Sequence, residues 1–282
     1  MTVWRAAVYA APGFAAPPST PDPLAALLRE RAEEWLGRAI DGRAVPARMP
    51  AGWTRDEVDA ITVAARSYGF HGTLKPPFRL APGRSLDELV AAVDDLAART
   101  PTVSIPRLRL GRLGPFFALV PGTDDHALRA VADAVVTGLD SFRAPMTDED
   151  RTRRDPDSLT PRQRDLLDKW GYPYVLDEFR FHLTLTDRIP DDRHHVVGDV
   201  LRSWFDDVLG QDVPLDVLTV LTQAAPGSPF RLHSSHPMSF GVRRSEADDS
   251  GGADTPTPGS AGPILALHSR LQGASTQEGI TR

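Results

Sequence analysis

The chain has 282 residues, 41% of them hydrophobic and 25% charged, with a net charge of −6. That length supports one large domain or two small lobes with a real core, and the acidic balance gives no global basic field to steer it to long nucleic acid or a membrane surface. Cysteine is absent, which excludes a disulfide framework and thiolate chemistry and suits a cytoplasmic protein.

No apolar run approaches the roughly 20 residues that span a bilayer. Pro12 interrupts the apolar start, so residues 2–11 predict a strand and then a loop rather than a leader. Residues 21–40 carry Leu24, Leu27, Leu28, Trp35 and Leu36 near helical spacing behind Pro and Asp starts. A short helix over 54–67 opens with a Thr-x-x-Glu capping box, Thr54 and Glu57. Residues 68–78, YGFHGTLKPPF, predict a strand, followed by a turn at APGRS and a helix over 85–98 opened by Ser85. Strands are expected over 102–113 and 115–121, then an amphipathic helix over 124–142. Residues 143–178 are polar and Pro-rich, with a short helix over 160–170. EFRFHLTLT, 178–186, predicts a strand, 191–209 a helix, and 213–223 and 228–240 the last two strands.

The order of elements repeats: strand, helix, His-x-Thr strand, helix, strand, strand. The halves run over about 3–112 and 116–240 within one domain, 1–243, and predict a two-lobed α+β fold with mostly antiparallel sheets. Residues 244–282 lack apolar periodicity and are expected to form a disordered tail.

Alternate side chains on a strand face opposite ways. Phe70, Gly72 and Leu74 therefore share one face, and His71, Thr73 and Lys75 the other. Likewise Phe179, Phe181, Leu183 and Leu185 oppose Arg180, His182, Thr184 and Thr186. Each strand offers an apolar face for a core and a face with His and Thr side by side. The bland alternative is two half-exposed histidines on sheet surfaces. The chemical reading is phosphodiester cleavage, which needs a base for the nucleophile and an acid for the leaving oxygen. Histidine, with a pKa near 6.5, serves as either. The threonine hydroxyls would hold non-bridging oxygens, and Lys75 or Arg180 would offset charge. Lys75 stands out because lysine occurs only there and at Lys169. Tyr68 and Tyr174 flank the motifs as further substrate-binding candidates, with core packing as the alternative. RTRR, Arg151 to Arg154, reads as a solvated loop, or functionally as a lid over an anion. A third tripeptide, His233 to Ser235, lacks a partner in the repeated layout. His194 and His195 do not suggest a metal, because neighbouring residues on a helix diverge by about 100°.

The paired His-x-Thr strands resemble the 2H phosphoesterase superfamily. RSYGFHGTLKPPFRLAPG, FFALVPG, LTPRQRDLLDKWGYPYVLDEFRFHLTLT and APGSPFRL are similar to its branch found with phosphonate-utilisation genes, over about residues 3–240. The resemblance implies a bilobal, pseudo-symmetric α+β (LigT-like) fold. Two mostly antiparallel sheets would flank a central cleft, with helices outside and one His-x-Thr from each side. It places the catalytic positions on His71, Thr73, His182 and Thr184. It implies metal-independent hydrolysis of a small cyclic phosphate ester, without cofactor, by a monomeric, non-membrane protein. The phosphonate link points to a ribose cyclic phosphate, such as the 1,2-cyclic phosphate of ribose 5-phosphate. Three alternatives stand beside it: an RNA 2′,3′-cyclic phosphodiesterase, a non-catalytic binder of phosphorylated sugars, and a tail-mediated partner of a larger assembly.

Overall fold

The computed structural model describes residues 3–239, except 16–19, Ala44 and Ala47; the expected tail, 244–282, lies outside the described residues. The chain opens with β1 (Arg5–Ala10) and α1 (Pro23–Leu36). The Asp22 carboxylate accepts from the Leu24 and Ala25 N–H groups to start α1, and Gly37, at φ 64°, stops it. The predicted capping box starts α2 (Arg55–Ala60), but the expected helix breaks before α3 (Val63–Tyr68). At that break the Thr62 hydroxyl donates to the Val58 carbonyl (2.8 Å), a local bond that competes with helix continuation.

β2 (Gly72–Phe78) and α4 (Leu86–Arg99), capped by Ser85, follow as expected. The predicted strand over 102–113 is cut into β3 (Val103–Ile105) and β4 (Arg109–Leu113) by Arg107 at φ 47°. Next come β5 (Phe116–Val120), α5 (His126–Gly138) and α6 (Asp148–Arg153). The last of these was not expected; Thr147 and Asp150 form its capping box. α7 (Pro161–Trp170), β6 (Leu183–Thr184), α8 (His194–Trp204), β7 (Val213–Leu215), β8 (Val217–Gln223) and β9 (Arg231–Pro237) complete the chain.

Seven strands form one antiparallel sheet in the order β4-β5-β6-β2-β1-β8-β9, and β3 pairs with β7 in a small second sheet. The large sheet consists of two blocks, β4-β5-β6 and β2-β1-β8-β9, joined through the pair Gly72↔Leu183. The blocks draw on both halves of the chain: β4 pairs with β5, and β8 with β1. One face of both blocks buries Val8, Leu74, Leu119, Leu183 and Val220 with α1, α4, α5 and α8. The opposite face carries two separate apolar clusters. Tyr9, Ile40, Leu221 and Phe230 sit on one block, and Phe116, Ala118 and Val120 on the other.

Two polar ties fix the frame. The fully buried Trp35 donates its indole N–H to the Leu185 carbonyl (2.8 Å), so α1 holds the chain just past β6. At the far edge, His236 bridges α4 to β9: its Nδ1 lies 3.0 Å from Asp94 Oδ1 and its Nε2 2.9 Å from Ser234 Oγ. His233, from the third tripeptide, is exposed on this same edge strand. No helix among the described residues is long and apolar enough to cross a membrane.

Trp35→Phe keeps most of the packing but leaves a buried carbonyl unpaired. Denaturant melts should show a loss of about 1–3 kcal/mol, the cost of stranding one buried polar group.

Candidate active site

The seam between the two blocks brings the His-x-Thr segments together. Because β2 and β6 are antiparallel with Gly72 opposite Leu183, His71 falls opposite Thr184, and Thr73 opposite His182. Directly opposed side chains in such a pair have Cβ atoms about 4.5–5.5 Å apart, and diagonal ones about 7–8 Å. The two imidazoles are diagonal neighbours, and so are the two threonines. Phe70, Leu74, Phe179, Phe181, Leu183 and Leu185 are all buried, as the alternation predicts, and His71, Thr73, His182 and Thr184 are partly exposed on the other side. Gly72 makes the close seam possible. A Cβ there would lie 2.9 Å from the Phe181 ring.

The two rings are anchored alike. His71 Nδ1 lies 2.9 Å from the Gly69 carbonyl and His182 Nδ1 2.8 Å from the Arg180 carbonyl, each two residues upstream. A carbonyl only accepts, so each Nδ1 carries a proton and each Nε2 is the titrating nitrogen. His71 Nε2 lies 3.2 Å from Thr73 Oγ1. An aromatic ring supports each imidazole: Tyr9 stacks on His71 at 3.8 Å, and Phe116 lies tilted at 6.2 Å from His182.

These surroundings favour the neutral rings. Burial lowers the His71 pKa to about 4; the Gly69 bond opposes this, and the charges of His182 and Arg38 add to it. Burial also lowers His182 below the usual 6.5, against the pull of the Arg180 carbonyl. The effect of His182 on His71 shows that both imidazoles share one electrostatic field.

The remaining candidates divide. Tyr68 stands in the site, 6.1 Å from the His71 ring and stacked on Phe230 at 5.3 Å. Tyr174 is a half-buried ring packed edge-on against Tyr172 at 5.5 Å. Arg180 is exposed, and the contact it makes to His182 is through its carbonyl rather than its guanidinium. Lys75 is a correction. The β1–β2 register shifts, so that Tyr9 opposes Thr73 but Val8 opposes Lys75. This bulge turns Lys75 away from His71, onto the helix-covered face. The ammonium is only 2% exposed and donates to the Val136 carbonyl and to Asp140, both at 3.1 Å. It is a buried structural cation, not a phosphate contact. His194 and His195 go to different neighbours, the first to Arg112 and Phe117 and the second to Asp199.

Sequence reasoning missed the supports that come from other strands, Tyr9 and Phe116. It also missed Arg5, whose guanidinium lies over Trp4 and Phe230. Nothing in their local sequence marks these residues.

The fold and site define an antiparallel α+β protein whose sheet presents two facing His-Thr pairs on one side of a two-block seam. The family model described as a protein of unknown function (DUF1045) matches residues 73–231, more than half of the chain, and the chain belongs to that family. Two curated relatives bear the name ribose 1,5-bisphosphate phosphokinase PhnN. The one from Janthinobacterium sp. (strain Marseille) is 31% identical over 223 residues, 77% of this chain and 49% of its own length. The one from Laribacter hongkongensis (strain HLHK9) is 34% identical over 231 residues, 81% of this chain and 50% of its own length. The chain thus spans about half the length of the curated relatives it matches. Among solved structures, one described as a phosphoesterase aligns over 84% of this chain and 99% of its own at 12% identity, with a TM-score of 0.38. E. coli LigT complexed with NADP+ aligns over 85% and 99% at 13% identity and 0.34. Both are distant likenesses.

The Lys75 pair generates an asymmetric prediction. Burial lowers the Lys75 pKa despite Asp140, whereas Asp140 is lowered because hydrogen bonds and charge from Arg143 and Lys75 outweigh its own burial. The two shifts differ because Lys75 bears the greater desolvation, at 2% side-chain exposure against 25%. Lys75→Met leaves Asp140 bound to Arg143, and its stability should stay within about 1 kcal/mol of the parent. Asp140→Asn strands a buried cation and should cost about 3 kcal/mol or more in the same melts.

Proposed function

We propose that this protein is a phosphoesterase that hydrolyses a small cyclic phosphate ester by paired imidazole acid–base catalysis without a metal. The observation that carries this is the facing arrangement of His71, Thr73, His182 and Thr184, with both Nδ1 atoms tied to carbonyls so that Nε2 is the titrating nitrogen of each ring. A phosphoryl group seated between diagonal imidazoles has one on the side of attack and one on the side of departure.

His71 is assigned as the base, since burial lowers its pKa to about 4 and keeps it neutral in the free protein. Its Nε2 takes a proton from water as the water oxygen bonds to phosphorus. The P–O bond to the departing oxygen breaks, and His182 Nε2–H gives that oxygen its proton. Thr73 and Thr184 donate to the non-bridging oxygens, which gain charge in the transition state. The exposed Arg180 guanidinium, beside His182 in sequence, is a second source of positive charge.

A phosphorylated ribose is the favoured scaffold. The curated relatives are named for a ribose bisphosphate, and the resemblance to the phosphonate-linked 2H branch points the same way. The kinase activity in that name is not carried over. Neither lysine stands in a G-x-x-x-x-G-K-[ST] phosphate loop, since their contexts are Leu-Lys-Pro and Asp-Lys-Trp.

Phosphorus NMR with a panel of cyclic phosphates, in the presence of chelator, tests the reading. Turnover of a small cyclic ester is expected, and His71→Ala and His182→Ala should each lower kcat by about 10²–10⁴-fold with unchanged melting. Near-normal rates in either variant, or a requirement for added divalent metal, would overturn it. Saturable binding without turnover across the panel would instead mark a sugar-phosphate sensor.

The pH profile follows from the shifts. The base must be neutral, so kcat/KM should rise through about pH 4; the acid must be protonated, so it should fall above the His182 pKa, which lies below 6.5. The optimum of kcat/KM is therefore expected on the acid side of neutrality. The kcat profile should lie higher, because a bound phosphate anion raises both imidazole pKa values.

A further inference from the structure

We infer that Arg38 and Asp187 are positioning residues: they clamp the two ends of α3 and thereby aim the His71 ring. The inference rests on the acid–base reading of the site and deepens it, by naming what holds the base in its working form.

The bond from His71 Nδ1 ends on the carbonyl of Gly69 (2.9 Å), the residue that terminates α3. Gly69 stands at φ 78° and ψ 178°, a combination open in practice only to glycine. Glycine also has the most other conformations to choose from, so the direction of this carbonyl must be fixed from outside. The clamp at this end of α3 is Arg38, in the segment that leaves α1. Its Nη1 donates to the Arg66 carbonyl (2.5 Å) and the Ser67 carbonyl (2.8 Å), both in the last turn, where carbonyls have no intrahelical i+4 partner. Its Nη2 donates to the Phe230 carbonyl. One planar fork thus ties together the exit of α1, the end of α3 and the approach to β9. Ile40, from the same segment, lies against Gly69, where a Cβ would meet the Ile40 Cα at 3.3 Å.

The clamp at the other end comes from the second motif. Five residues past His182, the Asp187 carboxylate accepts from the N–H groups of Ala64 (3.0 Å) and Ala65 (3.1 Å) in the first turn of α3. The Asp187 N–H donates to the Ile61 carbonyl (2.7 Å). The chain leading to Asp187 is itself held, because the Leu185 N–H donates to the Phe117 carbonyl (3.0 Å) and the Phe117 N–H to Thr186 Oγ1 (3.0 Å). α3 is therefore a strut of six residues, fastened at one end to the segment of His182 and leading at the other to the carbonyl that holds His71. The second motif has a related device: Arg129 of α5 donates to the Phe179 carbonyl (3.0 Å), next to the Arg180 carbonyl that holds His182. Loss of either clamp on α3 frees Gly69 to turn its carbonyl, and His71 then loses the bond that keeps its proton on Nδ1. A histidine without such a partner favours the proton on Nε2, and in that form Nε2 has no lone pair with which to act as the base.

Nitrogen-15 NMR of the labelled protein near neutral pH reads the ring tautomer and needs no substrate. His71 of the wild type should carry its proton on Nδ1. In Arg38→Met and Asp187→Ala the Nε2-protonated form should grow by roughly 3- to 10-fold, as expected for the loss of one hydrogen bond. Arg38→Lys should behave like Arg38→Met, because an ammonium cannot reproduce the planar fork. Asp187→Asn keeps an acceptor oxygen and should stay near the wild type. Asp94→Ala, which breaks the His236 tie at the far edge, should lower the melting temperature and leave the tautomer alone, which separates positioning from destabilisation. On a cyclic ester that the wild type turns over, kcat should fall about 10- to 100-fold in Arg38→Met and Asp187→Ala, with KM within about threefold. A His71 ring that stays Nδ1-protonated in these two variants, or that shifts equally in Asp94→Ala, overturns the inference and leaves the acid–base reading intact. Should Arg38→Met or Asp187→Ala not fold, Arg38→Lys and Asp187→Asn decide: a shift in the first without one in the second upholds the inference, and any other pattern overturns it. Absence of turnover in the wild type counts against the acid–base reading, and the tautomer still decides whether the clamps hold His71.

Discussion

The structure depends on one cross-strand pair, Gly72 opposite Leu183. Side chains on paired strands alternate with period two, so this single register decides which four residues meet over the seam. A slip of β6 by one residue would turn His182 into the core and bring Phe181 and Leu183 to the surface. The register is held because a large apolar set lies beneath it: Phe70, Leu74, Phe181, Leu183 and Leu185 are all buried under the helices. Gly72 matters for the same reason, since the Phe181 ring occupies the space a larger residue would fill. Hydrophobic burial therefore specifies the site geometry, and the polar groups inherit it.

On either side of the seam the two halves of the chain exchange strands. β8 leaves the second half to pair with β1, and β4 leaves the first half to pair with β5. Each block thus contains strands from both ends of the sequence. The ties across it come from a helix as well as from the sheet. Trp35 of α1 reaches the Leu185 carbonyl, and the same helix packs within the main core. The spacing of the imidazoles is set by this packing as much as by the short ladder at β6.

Much of this was legible in the sequence, and the limits have a physical pattern. The α+β class, the capping boxes at Thr54 and Ser85, and the apolar faces at 70–74 and 179–185 all follow from local periodicity or side-chain chemistry. The pairing of His71 with His182 was legible because each sits in such a segment and the motif recurs. What was not legible required a partner strand. The bulge that turns Lys75 exists only in the register of β2 against β1. Tyr9 and Phe116 touch the imidazoles from strands remote in sequence. The division at about residue 113 followed element order, whereas the blocks follow pairing across the sheet.

The turned lysine has a consequence for how a ligand would be held and let go. With its ammonium folded into the interior against Asp140, the floor between the two imidazoles contains no permanent cation from its own strands at that position. On the proposed reading, charge on that floor would come and go with the imidazole protons, and retention of an anion would be coupled to proton inventory: a ring that gave up its proton would loosen its hold. A fixed ammonium in the same place would grip what leaves as firmly as what arrives.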